Sequence, residues 1–288
     1  MLLHCAALLS KLPLRVHYWF ADWLLFPLMY HAVRYRRKIV EHNLRLAFPD
    51  KTDKDRTRIA RDFYHQLTYT FAETLYGFRI SPAEMKQRVV FENADEVDKA
   101  AKEAGGCIVM LAHVGCWEWM SSCQQWFSPE VLELNVYRKA KNEHTDRDLL
   151  EIRKKRGGAY VEKQRVLREM IRYRAEKQAI VLGLIADQKP RPEVTRTWVK
   201  FLHQEIGFLD GGEEMAKKFG YPVFALTVKR PARGYYQCRF ECISLDPKNT
   251  DQGEITTAYA RNLERNIIAE PHLWLWTHNR FKYRKNEM

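Results

Sequence analysis

The sequence predicts an α/β fold, a mixed and mostly parallel sheet flanked by helices, with a helical membrane-associating segment at its N-terminus. Short runs such as 107–112 and 179–186 are apolar almost throughout, as strands buried on both faces of a parallel sheet are. These runs alternate with stretches of helical period, for example 54–78 and 253–268, and that alternation builds a parallel sheet covered by helices. Gly105-Gly106 and Gly157-Gly158 punctuate the alternation, as helix stops do.

Residues 1–15 lack a charged start and a cleavage site, so no secretory leader is expected. Residues 16–33 are rich in large apolar and aromatic side chains, but Asp22 and Pro27 interrupt them. Spanning a bilayer takes about 20 apolar residues, so the stretch is too short. Arg34, Arg36, Arg37 and Lys38 follow at once and suit anionic headgroups on a cytoplasmic face. Residues 1–38 therefore read as an interfacial anchor, a helical hairpin dipping into one leaflet, with an amphipathic helix packed on the body as the alternative.

Residues 39–288 read as one domain. Pro49-Asp50 makes a turn, and Thr52 or Asp53 caps a helix over 54–78 with Ile59, Phe63, Leu67, Phe71 and Leu75 in register. A strand at 89–92, a helix over 95–104 and a strand at 107–112 follow. Next come a helix from Trp117, a strand at 132–137, a charged helix ending at Arg156, a helix over 166–176 and a strand at 179–186. Strands are expected again at 198–202, 222–228 and 235–243, and helices at 212–219 and 253–268.

The charge balance narrows the partners. With 48 Lys+Arg against 36 Asp+Glu and a net charge of +12, the surface field favours nucleic acid, an anionic membrane surface or an acidic carrier protein. Neither a P-loop nor a zinc finger nor an RNP pair is present, which argues against nucleic acid. The six cysteines form no CxxC pair or Cys/His array, so reduced, structural thiols are expected and no metal.

His113 and Glu118 end the apolar run in Val109-Met-Leu-Ala-His-Val-Gly-Cys-Trp-Glu-Trp119. An imidazole takes a proton from a hydroxyl, and a nearby carboxylate holds its tautomer and stabilises its charge. In a regular helix five residues turn through about 500° and leave the two on different faces. A strand ending at Ala112, a turn at Gly115 and a helix from Trp117 would bring them together. Cys116 inside this segment invites a reading as a nucleophile, with packing or turn-lining as the alternative.

This segment resembles the HX4E form of the HX4D/E signature of the lysophospholipid acyltransferase superfamily. It looks most like the His-Phe-Gly-Asn-Trp-Glu motif of the bacterial lipid A biosynthesis branch, the lauroyl and myristoyl transferases. Glu41-His-Asn-Leu-Arg-Leu-Ala-Phe-Pro, Val136-Tyr-Arg138, Ala186-Asp-Gln188 and Trp274-Leu-Trp-Thr-His-Asn-Arg-Phe-Lys282 are similar to further family motifs, in the family's order and over most of the chain. The resemblance implies a glycerolphosphate acyltransferase-like fold at the cytoplasmic face of the inner membrane. It also implies transfer of a fatty acyl chain from an acyl carrier protein thioester to a hydroxyl of a lipid A precursor, a phosphorylated glycolipid. On that reading His113 is the general base and Glu118 its partner, and neither a cofactor nor a metal is needed.

Four other residues are candidate substrate contacts. Arg138 has the forked donors that suit a phosphate or an oxyanion, with a surface salt bridge as its plainer role. Asp187 and Gln188 follow a buried strand, where groups at a sheet's carboxyl edge meet ligands; capping and loop hydrogen bonds are the alternative. Arg280, with Lys282, either contacts phosphate or ties the C-terminus to the body. The segment 199–212 departs from the family's acceptor loop, which leaves the acceptor open, and His203 within it reads as solvated. A lysophospholipid, glycerol phosphate or another lipid acceptor is the alternative within the enzyme class. The alternative of another class is a non-catalytic, basic membrane- or nucleic-acid-binding protein.

Overall fold

A computed structural model describes residues 10–139 and 142–285; Cys5 and the start of the expected anchor lie outside them. α1 (Leu14–Phe20) runs into two π-helical stretches, Ala21–Leu25 and Leu28–Ala32. The widened turns flank Pro27, whose ring removes a backbone donor and crowds the preceding turn. Arg34 and Arg36, both at φ 50°, break the run. α2 (Arg37–Ala47) follows, then the long α3 (Asp53–Tyr76), capped by Thr52, whose hydroxyl accepts from the Asp55 N–H. Ser81 caps α4 (Pro82–Arg88) in the same way.

The alternation then begins: β1 (Val89–Phe91), α5 (Ala94–Ala104), β2 (Gly106–Leu111), the single turn α6 (Trp117–Met120), β3 (Val131–Tyr137) and α7 (Glu143–Lys154). β4 (Ala159–Glu162), α8 (Val166–Ala175) and β5 (Ala179–Ile185) complete the first half. The hairpin of β6 (Thr197–Phe201) and β7 (Gln204–Phe208), α9 (Gly211–Phe219), β8 (Val223–Ala232), β9 (Tyr235–Ser244) and α10 (Glu254–Ala269) make up the second.

Seven strands form the main sheet in the order β1-β9-β8-β2-β5-β3-β4. Every pairing in it is parallel except β8 with β9, so the α/β reading holds. β2 and β5 lie side by side at its centre, paired from Gly106↔Ile180 to Leu111↔Ile185. Ile108, Met110, Ile180 and Leu182 on one face and Cys107, Val109 and Val181 on the other are all buried, the burial on both faces that their continuous apolar runs predicted. α5 packs across both strands, and α10 across β8 and β9.

The N-terminal segment has two faces. Leu14, Tyr18, Ala21, Phe26 and Tyr30 point into the common core, and α1 and the first π-helical stretch pack on α3. Asp22, which interrupts the apolar run, accepts a hydrogen bond from Tyr69 at 2.6 Å and pairs with Arg233 at 2.7 Å. No helix among the described residues is long and apolar enough to cross a membrane.

Candidate active site

His113 and Asp187 meet because their strands do. Each lies two residues beyond a partner in the last register pair of β2 and β5, Leu111↔Ile185. The parallel pairing therefore delivers the imidazole and the carboxyl group to the same carboxyl edge. The Ala186 N–H donates to the Leu111 carbonyl at 2.9 Å and carries the alignment one step past the strands. His113 Nδ1 donates to Asp187 Oδ1 at 2.7 Å, and the His113 backbone N–H donates to Oδ2 at 3.0 Å.

Trp274 completes the grip, its Nε1–H donating to the same Oδ2 at 2.9 Å. Asp187 is 3% exposed and Trp274 2%, so these bonds are shielded from water and strengthened by the low local dielectric. Burial of Asp187 works against its charge, but His113 and three donated hydrogen bonds outweigh it and hold the carboxyl below its usual range. For His113, burial likewise disfavours the charged form. The Asp187 charge and hydrogen bond prevail, with a further contribution from Glu118, and the imidazole lies above its ordinary value. Since Nδ1 carries the hydrogen given to Asp187, the neutral ring holds its lone pair on Nε2.

The expectation that Glu118 is the carboxylate on His113 is corrected here. The turn does return the chain as foreseen, through Gly115 at φ 60°, where an added Cβ would sit 2.6 Å from the Tyr236 ring. But α6 turns Glu118 toward α7 and the residues just after it. Its Oε1 takes Arg153 Nη2 at 2.9 Å, and its Oε2 faces Arg156 Nη1 at 3.5 Å. Burial raises the Glu118 carboxyl and the two guanidinium groups more than offset it, so its pKa is lowered. Glu118 therefore acts on the imidazole only through space.

The other candidates are dispersed. Arg138 and Gln188 are exposed beyond the ends of β3 and β5, at the same sheet edge as His113. Arg280 lies in the core at 1% exposure, where its Nη2 donates to the Gly207 carbonyl at 2.7 Å and its guanidinium stacks 4.4 Å from the Phe208 ring centroid. Of its two expected roles, the structure places it in the one that ties the C-terminus down. Cys116 is fully buried, and burial pushes its thiol far up, so it is no thiolate nucleophile. His203 is exposed at the tip of the β6–β7 hairpin.

Trp274 was missed as a site residue, as was the segment around it. Leu275 N–H donates to the His113 carbonyl and the Gly115 N–H to the Leu273 carbonyl, so residues 273–275 strap the His113 loop as a short antiparallel bridge. The buried Asn43 side chain in turn donates to the carbonyls of Trp276 and His278 at 2.9 and 2.8 Å. Three motifs far apart in the chain thus form one cluster.

A profile of the bacterial lipid A biosynthesis acyltransferase family matches residues 5–283. The chain belongs to that family. The match makes it an acyltransferase and links it to a family associated with the bacterial inner membrane. Comparison with curated proteins gave no significant match. Within the described residues, the His113–Asp187 pair has a hydrogen-bond geometry that suits moving a proton.

Proposed function

We propose that this acyltransferase moves a fatty acyl chain from an acyl carrier protein thioester to a hydroxyl of a lipid A precursor, at the cytoplasmic face of the inner membrane. The observation that carries the reading is the 2.7 Å bond from His113 Nδ1 to Asp187 in a chain of this family. It supports a general base with its lone pair on Nε2 and a fixed orientation.

In the reaction the acceptor hydroxyl oxygen attacks the thioester carbonyl as its proton passes to His113 Nε2. Asp187 stabilises the imidazolium that forms. The tetrahedral intermediate then collapses, the C–S bond breaks, and the imidazolium returns its proton to the leaving thiolate. A thioester is already activated, so the step calls for no covalent enzyme intermediate, metal or cofactor. Glu118 fixes the buried Arg156 and the partly exposed Arg153 through its ion pairs with both. Arg138 and Gln188, exposed at the same edge, are assigned to substrate contact.

The test is transfer of labelled acyl chains from acyl carrier protein to a lipid A precursor and to a lysophospholipid. Removal of the base in His113→Ala should lower kcat by about 10²–10⁴-fold. Wild-type rates from a folded His113→Ala protein would overturn the assignment, and exclusive use of the lysophospholipid would overturn the acceptor.

A further inference from the structure

Just past Asp187, Lys189 meets Lys282 across the ring of Tyr283. Lys189 is half-buried and its Nζ lies 4.6 Å from the centroid of the Tyr283 ring. Lys282 approaches the same ring, its Nζ 5.1 Å from the centroid. The loop holding Lys189 is pressed onto β7, since a Cβ added to Gly207 would sit 3.1 Å from the Pro190 ring. The segment holding Lys282 is pinned by the bridge between Ile206 and Arg284.

Neither ammonium has an ion-pair partner among the described residues. Other lysines do, Lys285 taking Glu205 at 2.8 Å and Lys217 taking Glu213 at 2.9 Å. Burial pushes the Lys189 pKa down, Lys282 and Arg280 push it the same way, and only Tyr283 opposes them. Asp187, the nearest acid in sequence, is already committed to His113 and Trp274. Holding two like charges against one ring is unfavourable until an anion arrives.

We propose that Lys189 and Lys282, set around Tyr283, form a binding site for a phosphate ester of the substrate, beside the His113–Asp187 pair. A phosphate monoester carries nearly two negative charges and several acceptor oxygens, so it can take both ammonium groups at once. This assignment deepens the proposed function and rests on it for the source of the phosphate. Both substrates of that reaction carry phosphate: the glycolipid acceptor as monoesters on its sugars, and the carrier as the singly charged diester that joins its pantetheine arm to the protein.

The experiment uses the full chain and the variants Lys189→Ala, Lys282→Ala and Lys282→Arg. Binding is measured without turnover to a micelle-embedded diphosphorylated glucosamine disaccharide lipid, to its dephosphorylated counterpart and to acyl carrier protein. Each alanine variant should lose about tenfold in affinity for a phosphorylated probe, the size of one charge-assisted contact. Lys282→Arg should retain binding, and the dephosphorylated lipid should bind all four proteins equally. A loss confined to the lipid assigns the site to the acceptor, and one confined to the carrier assigns it to the donor. Unchanged affinity of both alanine variants for both phosphorylated probes would overturn the site. Phosphate-dependent binding without any acyl transfer by the wild type would instead overturn the reaction and leave the site standing.

Discussion

At the scale of single residues, the charge on Asp187 governs the protonation of His113, the proposed base. Its pull raises the imidazole above the usual value of about 6.5, so kcat/KM should rise with pH through an inflection above that value. Asp187→Asn removes the charge, leaves burial to disfavour the imidazolium, and frees the ring to adopt the other tautomer. The inflection should then move to lower pH and kcat should fall by about 10²–10⁴-fold. In Glu118→Gln the inflection should move less, because its carboxylate is held by two arginines and acts only at a distance. A pH–rate profile of the three proteins checks this, and equal shifts in both variants would remove the distinction. Glu133 offers a separate test of burial. On β3 and fully buried, its carboxyl is pushed up to about 8. Between the unfolded value of about 4.3 and that folded value the native state binds more protons than the unfolded chain. Stability from the neutral acid is therefore present at low pH and lost as pH rises through about 8. Glu133→Gln keeps the shape without the titration, so its Tm relative to wild type should climb between pH 5 and pH 9. A constant difference would show that Glu133 does not titrate in that range.

Among the elements, the site was legible where regular pairing places side chains and opaque where irregular backbone does. The apolar runs of β2 and β5 were plain, and His113 and Asp187 stand two residues beyond their aligned ends. Had the two most continuous apolar runs been paired as central neighbours, the partnership would have been visible before that of Glu118. Nothing local reveals the direction of a one-turn helix, and α6 sends Glu118 to arginines at the end of α7 and just beyond it, 35 and 38 residues away. β7 was hidden because its turn, Leu202-His203, adopts φ 47° and 63° without glycine or asparagine, the usual hairpin signal. β4, four residues long, was masked by the Gly157-Gly158 pair read only as a helix stop. The strap over His113 makes no regular element, so only the folded chain shows that Asn43 anchors it. Asn43→Ala would leave the buried Trp276 carbonyl without its donor, at about 1–3 kcal/mol, and the His278 carbonyl with the Arg280 N–H alone. We expect a lower Tm together with reduced kcat, since the strap carries Trp274 to Asp187. A stability loss with unaltered kcat would separate the strap from the chemistry.

For the whole molecule, the proposed function requires a basic protein that packs its N-terminal segment on its own body to meet a lipid as well. Only one face of that segment is used internally. Trp19, Trp23, Leu24 and Leu28 project outward at 57%, 72%, 55% and 46% exposure, and large apolar side chains clustered in this way mark an interaction surface. Of the four basic residues that follow, Arg37 is paired with Glu41 and stacked on Tyr30, and Arg36 donates to the Thr277 carbonyl. Arg34 and Lys38 make no ion pair among the described residues and remain for headgroups. Under the proposed function a surface built this way would lie in the interface rather than across it. Apolar burial would supply most of its affinity, and charge would add about 1 kcal/mol per basic residue. The two contributions respond differently to perturbation. Raising salt to 1 M should weaken sedimentation with anionic vesicles severalfold but not abolish it, because screening leaves apolar burial intact. Trp19→Ser combined with Trp23→Ser and Leu24→Ser should cost far more, well over tenfold in partition, since each buried side chain contributes about 1.5–3 kcal/mol. These three positions lie outside the core, so acyl transfer to a detergent-solubilised acceptor should survive while transfer to an acceptor held in vesicles falls. Full vesicle binding by the triple variant would place the membrane surface elsewhere on the molecule.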